Sequence, residues 1–422
     1  MIVVFAIMLA MLACINACIA RSFLYPPAVF AALWSGLLFA LAVSGDVFYT
    51  ISPETMLVYL LGATAFSMGG FIALVLWRDR SDPRPILSPS RRAFVRRMLG
   101  IGLILLTLAF PFYWHRLQRL SAESDFTNFW VGVRYQIAYG EGLGVFGYLI
   151  ALARFLALIA FYENDGSRTG RTLTFAIIVL AFIYDLLTVA RVGLYALIFG
   201  LIGISWMRSR RVTLKPLLAG IAAFLPAFAG AAVVLGKGGN VNATVTENLA
   251  GVLRSLQVYA LGGLVAFDKV VRDPWSFQGP RITTLRFFFA VANALGAHFD
   301  LPRVIPQYTM TPAPTNVYTI YFSYFLDYGW VGVGIIMFIL GNITARLYQA
   351  AARGNPQAVI LYGVMFWSLM VSCAAEGFFI SLSYWIQAVL YTFLLYHWPL
   401  SWGRYGRLPV KPKPSNVVCQ QS

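Results

Sequence analysis

The chain has little charge. Of its 422 residues only 11% are Asp, Glu, Lys or Arg, against roughly a quarter in a water-soluble chain, and so few polar groups cannot clothe a core of this size in water. Acids are scarcer than bases, 16 against 32, and only 3 histidines are present. The four cysteines lack both pairing and metal-ligand spacing: Cys14 and Cys18 lie in the first apolar run, Cys373 in a late one and Cys419 near the end. A disulfide framework is therefore excluded, and free thiols are expected. Walker-type loops are missing, and the loops hold no nucleophile elbow, no His/Cys ligand spacing and no Asp-x-Asp pair. A nucleotide-driven pump and a metal-dependent enzyme are accordingly disfavoured, and no cofactor is implied. The chain shows no internal repeat, which counts against a repeat-built transporter.

What is present in quantity is apolar sequence, 59% of the chain. Runs of about 20 apolar residues, the length that crosses a hydrocarbon core, recur from one end to the other. Eleven spans are expected, at 1–20, 26–44, 56–77, 98–114, 143–162, 172–189, 192–207, 216–235, 316–345, 358–373 and 379–397. Between Arg171 and Arg208 the only charges are Asp185 and Arg191, so this stretch reads as two crossings that turn near Arg191. Between Arg353 and Arg404 the only charge is Glu376, which marks a second turn. The first run ends in small residues, as secretion signals do. No basic residue precedes it and the next span follows at once, so a retained helix is expected.

The excess of cations fits cytoplasmic turns that meet anionic lipid rather than a nucleic-acid partner. The segment 78–97 carries Arg78, Arg80, Arg84, Arg91, Arg92, Arg96 and Arg97 against Asp79 and Asp82. With that segment inside, Arg21, the 163–171 turn, the Arg208–Lys215 cluster, Arg346 with Arg353, and the Arg404–Lys413 tail all fall inside as well. The N-terminus is then outside and the C-terminus inside. The expected architecture is all-α and polytopic: a bundle over 1–235, a large outer loop over 236–315, further spans over 316–397 and a tail over 398–422. In the loop, Leu249, Leu253, Leu256 and Tyr259 follow Thr246 and Glu247 at helical spacing. A break is expected at Gly262–Gly263, and a second amphipathic stretch near 282–297, with short helices lying on the membrane surface.

That outer loop holds more cation than orientation requires: Lys237, Arg254, Lys269, Arg272, Arg281, Arg286 and Arg303 against Glu247, Asp268, Asp273 and Asp300. Guanidinium groups match phosphate oxygens in pairs and stay charged when partly buried, so an anionic ligand is one reading and a solvated face or lipid head groups the other. Arg191 stands almost alone at its hairpin tip, where charge near hydrocarbon is costly. It either pairs privately with Asp185 or faces a polar cavity. Asp327, Glu376 and Asp268 are candidate general bases or sugar-hydroxyl ligands, with helix capping or arginine pairing as the alternative for each.

Three segments together resemble Wzy-type O-antigen and oligosaccharide-repeat polymerases: Tyr259–Asp268; Thr315–Thr319 followed by Asp327-Tyr328-Gly329 and Gly332; and the basic tip Ala190-Arg191-Val192-Gly193. The tip departs from the commoner Ser-Arg-x-Gly pattern at Ala190. The resemblance implies a membrane glycosyltransferase of GT-C-like fold in the bacterial inner membrane, acting on its periplasmic face. It would move a growing glycan from undecaprenyl diphosphate onto a hydroxyl of the newest lipid-linked repeat unit, without metal and with inversion. A chain-length-regulating co-polymerase is the partner it implies. Arg191, Arg254, Arg281 and Arg286 would bind the diphosphate, and Asp327, then Glu376 or Asp268, would act as base. Tyr259, Asn316 and Tyr318 would contact sugar. An O-antigen ligase with His298 as its base and a lipid-linked glycan flippase are the competing expectations. Reporter fusions in the 163–171 turn and in the 236–315 loop should report opposite compartments; both in the cytoplasm would dismantle this orientation.

Overall fold

The computed structural model describes residues 1–77, 88–234, 245–277, 279–303 and 305–397. Arg78, Arg80 and Arg84 of the first basic turn, Lys237 of the loop, and the 398–422 tail with Arg404, Lys413 and Cys419 lie outside the described residues. The chain runs α1 (Ile2–Ala20), α2 (Pro26–Val43), α3 (Pro53–Trp77), α4 (Pro89–Ala122), α5 (Phe129–Tyr139), α6 (Val145–Glu163) and α7 (Arg168–Leu187). It continues through α8 (Arg191–Ser209), α9 (Leu214–Val234), α10 (Val245–Arg272), α11 (Arg286–Ala294), α12 (Tyr321–Ala352), α13 (Pro356–Met370) and α14 (Leu382–His397). Among the described residues the only strands are β1 (Thr309–Met310) and β2 (Pro314–Thr315), an antiparallel pair pairing Thr309 with Thr315.

Ten of the described helices are long and apolar enough to cross a membrane, which makes this a multi-pass membrane protein. Nine of them coincide with expected spans. The expected spans at 216–235 and 379–397 fall on α9, whose apolar part is the shorter stretch Leu214–Gly230, and on α14, which has 16 residues. The tenth is the 250–272 portion of α10, expected as broken surface helices. Gly262–Gly263 does not break it. Instead Gly263 lets α10 lie against the turn Val371–Cys373, where a Cβ would run into the Cys373 carbonyl. The expected outer loop 115–142 is also more helical than expected. Here α4 runs on to Ala122, and Asn128 caps α5 by accepting from the Trp130 and Val131 amides at 3.0 and 3.2 Å. Such a cap satisfies amides that would otherwise be orphaned at the helix start.

The bundle has two chemically distinct ends. At one, basic side chains donate to carbonyls that helix C-termini leave unpaired. Arg208 reaches the Phe161 carbonyl (2.9 Å) at the end of α6, Arg210 that of Ala352 (2.7 Å) at the end of α12, and Arg91 that of Leu395 (3.4 Å) near the end of α14. Arg96 pairs with Asp165 at 2.5 Å, and Arg346 lies over the Trp77 ring at 3.5 Å. The described basic turns thus gather on one face of the bundle. The opposite end is covered by α10. Its Gln257 bonds Ser44 just beyond α2 (3.2 Å), and the Tyr59 hydroxyl donates to the Leu264 carbonyl (2.8 Å). Asp268 accepts from the Ser52 amide (2.7 Å), the Ser52 hydroxyl (2.6 Å) and the Thr55 hydroxyl (2.7 Å) at the start of α3. Beneath α10 lies a close-packed cluster of Trp34, Tyr59, Phe267 and Tyr321, with ring centroids 4.8 to 6.2 Å apart. Buried aromatics of this kind carry much of a core's packing energy, and here they fix the floor on which the α10 end is built.

Candidate functional site: an arginine-lined cavity

The hairpin between α7 and α8 turns where expected, and α8 begins at Arg191 itself. Asp185, in the last turn of α7, is fully buried and does not pair with Arg191. Arg154, from the middle of α6, grips it with both forks: Nε lies 2.9 Å from Oδ2 and 3.0 Å from Oδ1, and a terminal nitrogen closes on Oδ1. The private Asp185–Arg191 pair is thereby ruled out. A charge at this depth is tolerated only when paired and fully hydrogen-bonded, and the Arg154–Asp185 pair meets that condition. It also shapes the tip. A Cβ on Gly193 would collide with both the Asp185 carboxylate and the Arg154 guanidinium, so α8 packs flush on the pair two residues from Arg191. Thr188 donates to the Asp185 carbonyl (2.7 Å) and accepts from the Ala190 amide (3.1 Å). Val189, between them, is forced to φ 52°, a region costly for a β-branched residue and typical of over-determined functional turns.

Arg191 is left without an acid. It is 9% exposed, its guanidinium lies 4.0 Å from the Phe228 ring centroid and 5.6 Å from that of Tyr259, and one buried terminal nitrogen has no hydrogen-bond partner. The aromatic faces partly compensate the charge, while the N-terminus of α8 adds to the local positive potential. It faces a cavity of about 750 Å³, into which Arg134 of α5, Arg254 and Tyr259 of α10, and Asn316 also project. No Asp, Glu or His lines this cavity, and none of Arg134, Arg191 or Arg254 has an ion-pair partner among the described residues. Three like charges around one partly desolvated space repel, and an anion entering it relieves that repulsion. Charge-assisted, forked hydrogen bonds suit a phosphate or diphosphate.

Of the expected diphosphate ligands, Arg191 and Arg254 come together here. Arg281 and Arg286 do not: Arg281 stacks on Trp275 at 3.7 Å and donates to the Pro274 carbonyl, and Arg286 donates to that of Pro302 at 2.9 Å. Of the expected sugar contacts, Tyr259 and Asn316 line the cavity, whereas buried Tyr318 stacks on Phe322 and donates to the Gln307 carbonyl at 2.8 Å. None of the three acids lines it. Asp327 accepts from the Thr283 and Thr284 amides (3.1 and 2.7 Å) and so pins the turn before α11. Glu376 accepts from the amides of Phe378, Phe379 and Ile380 and from the Tyr324 hydroxyl (2.6 to 3.0 Å); burial pushes its carboxyl up against the pull of those four donors. Asp268, besides its contacts to α3, pairs with Arg272 at 2.7 Å. His298 is exposed and away from the cavity. The free cysteines Cys14, Cys18 and Cys373 also lie elsewhere, and no group of three or more His, Cys, Asp or Glu side chains able to hold a metal occurs among the described residues.

Two arginines escape the sequence reading. Arg134 lies in a stretch expected as loop; its signal is the Asn128 cap followed by aromatic residues at helical spacing. Arg154 is a charge inside an apolar span, which by itself demands a partner. No family model, curated protein or solved structure matches the chain. Asp185→Asn should strand the Arg154 charge and cost about 3–5 kcal/mol, seen as a clear drop in the melting temperature of the purified protein. Arg191→Gln, which breaks no ion pair, should melt close to wild type; an equal drop would make Arg191 a structural residue.

Proposed function

We propose that the protein polymerises lipid-diphosphate-linked oligosaccharide repeat units, as an inverting, metal-independent membrane glycosyltransferase of the O-antigen polymerase kind. One observation carries the reading: Arg134, Arg191 and Arg254 face a single cavity that no acid lines among the described residues. The motif resemblance at Ala190–Gly193, Tyr259–Asp268 and Thr315–Gly332 supports the same assignment. On this reading the α10 end of the bundle faces the periplasm, the basic end faces the cytoplasm, and the membrane is the bacterial inner membrane.

The chemistry needs little from the protein beyond charge and position. A hydroxyl oxygen of the acceptor repeat unit attacks C1 of the donor's reducing-end sugar from the face opposite the diphosphate. A new C1–O bond forms as the bond from C1 to the diphosphate oxygen breaks, and the lipid diphosphate departs with the electron pair. Negative charge therefore grows on the phosphate oxygens in the transition state. Arginines already facing that place stabilise it without reorganising, typically the largest contribution such a site makes. The proton released by the acceptor hydroxyl passes to water, since the described cavity lining offers no carboxylate and the departing diphosphate leaves from the opposite face of the ring. Asp268 then serves to anchor the cavity-lining helix α10, and Asp327 and Glu376 hold turns near it. Holding donor and acceptor together supplies the rest of the rate through proximity.

In a strain deleted for the protein, gel-resolved lipopolysaccharide should stop at core plus one repeat unit, and wild-type complementation should restore the ladder. Arg191→Ala should fail to restore it at normal protein level. Arg191→Lys should rescue only in part, because an ammonium cannot make the forked contact. Bare core in the deletion strain would indicate a ligase; a full ladder would reject the glycosyltransferase reading.

A further inference from the structure

The cavity has a second wall whose chemistry differs from that of the arginines. Along α5 and the segment before it, Phe126, Tyr135 and Tyr139 form a ladder, with ring centroids 5.1 Å apart for the first pair and 5.4 Å for the second. Tyr308, from the segment leading into β1, lines the same cavity and is hydrogen-bonded to Tyr139. Burial, then the hydrogen bond with Tyr308, pushes the Tyr139 phenol up to about 12. All four rings line the arginine cavity, yet each is between 44% and 54% exposed. Four aromatic rings left open around one cavity form a contiguous patch of the kind that marks a ligand-binding groove. An interfacial belt would turn them outward to lipid, whereas these border the same space as Arg134.

We propose that this aromatic wall binds the glycan of the lipid-linked substrate, one sugar ring against each of Tyr135 and Tyr139, with Tyr308 closing the far side. The inference rests on the polymerase reading above and assigns it a glycan-binding surface. Tyr135 and Tyr139 stand about one helical turn apart, about 6 Å along the axis, a step that suits successive pyranose rings. A pyranose presents apolar C–H faces that stack on an aromatic ring and equatorial hydroxyls that bond a phenol; tyrosine supplies both. Arg134, next to Tyr135 on α5, turns into the same cavity, so a glycan held on this wall keeps its reducing end toward the arginines.

The test compares two probes on the purified full-length protein by native mass spectrometry or thermophoresis: undecaprenyl diphosphate without sugar, and the lipid-linked repeat unit extracted from the source bacterium. The double variant Tyr135→Ala/Tyr139→Ala should bind the repeat-bearing lipid about tenfold more weakly than wild type and bind the bare lipid unchanged. Tyr135→Phe/Tyr139→Phe, which keeps the stacking faces, should retain most of the affinity for the repeat-bearing lipid. Arg191→Ala should weaken both probes. If the double alanine variant keeps full affinity for both, or loses affinity for both equally while its melting temperature is unchanged, the glycan wall is refuted and the polymerase reading stands on the arginine result. Should the alanine variant be misfolded, full affinity of the phenylalanine variant for the repeat-bearing lipid supports the wall, and a tenfold loss there refutes stacking as its basis. Wild-type protein that binds neither probe would overturn both.

Discussion

The ion pair between Arg154 and Asp185 is the interaction on which the site depends. Asp185 is the acid nearest in sequence to Arg191, and in its absence from Arg154 it would be the natural partner for that cation. By engaging Asp185 from α6, Arg154 buries one complete pair inside the bundle and leaves Arg191 with only aromatic faces for company. The same pair sets the position of the hairpin tip, because α8 reaches its place only where Gly193 offers no side chain against the paired groups. The strained Val189 turn is held by Thr188 on one side and by this packing on the other. Local strain of that kind persists only when its surroundings over-determine it, and the surroundings here are the ones that aim Arg191 into the cavity.

Charge is sorted across the molecule in the same spirit. At the basic end, Arg208 and Arg210 donate to helix C-terminal carbonyls and Arg96 pairs with Asp165, contacts that fix helix ends. At the α10 end three acids are engaged: Asp268 by the start of α3, Glu376 by its own turn, Asp327 by the turn before α11. Asp268 ties the cavity-lining helix α10 to α3, the other two hold neighbouring turns, and none of the three lines the cavity. The result is a space in which three arginines face no acid among the described residues, the electrostatic condition for taking up an anion.

Much of the fold was legible in the sequence because lipid imposes a simple rule: a helix must stay apolar for about 20 residues to cross. The turn at Arg191 was legible for the same reason, since a lone charge between two apolar runs marks where one span ends and the next begins. The continuity of α10 was not. Gly262 and Gly263 read as a helix break because a glycine pair usually weakens a helix; only the tertiary contact with Cys373 reveals that the missing side chain at Gly263 is needed for close approach. Nor was the choice of partner for Asp185 legible. Sequence distance favoured Arg191, six residues on, over Arg154, 31 residues back, whereas the bundle places Arg154 alongside. Arg134 was hidden for a related reason. A short capped helix in a stretch of mixed polarity carries no strong periodic signal, and its role emerges only when α5 folds over the cavity mouth.

The most direct measurement is an electron cryomicroscopy structure of the full-length protein with undecaprenyl diphosphate bound. The account requires the diphosphate to lie in the α10-end cavity within hydrogen-bonding distance of the Arg191 guanidinium, flanked by Arg134 and Arg254, with Arg154 still on Asp185. A diphosphate found instead among Arg92, Arg96 and Arg208 at the basic end, or an Arg191 paired with Asp185, would contradict it.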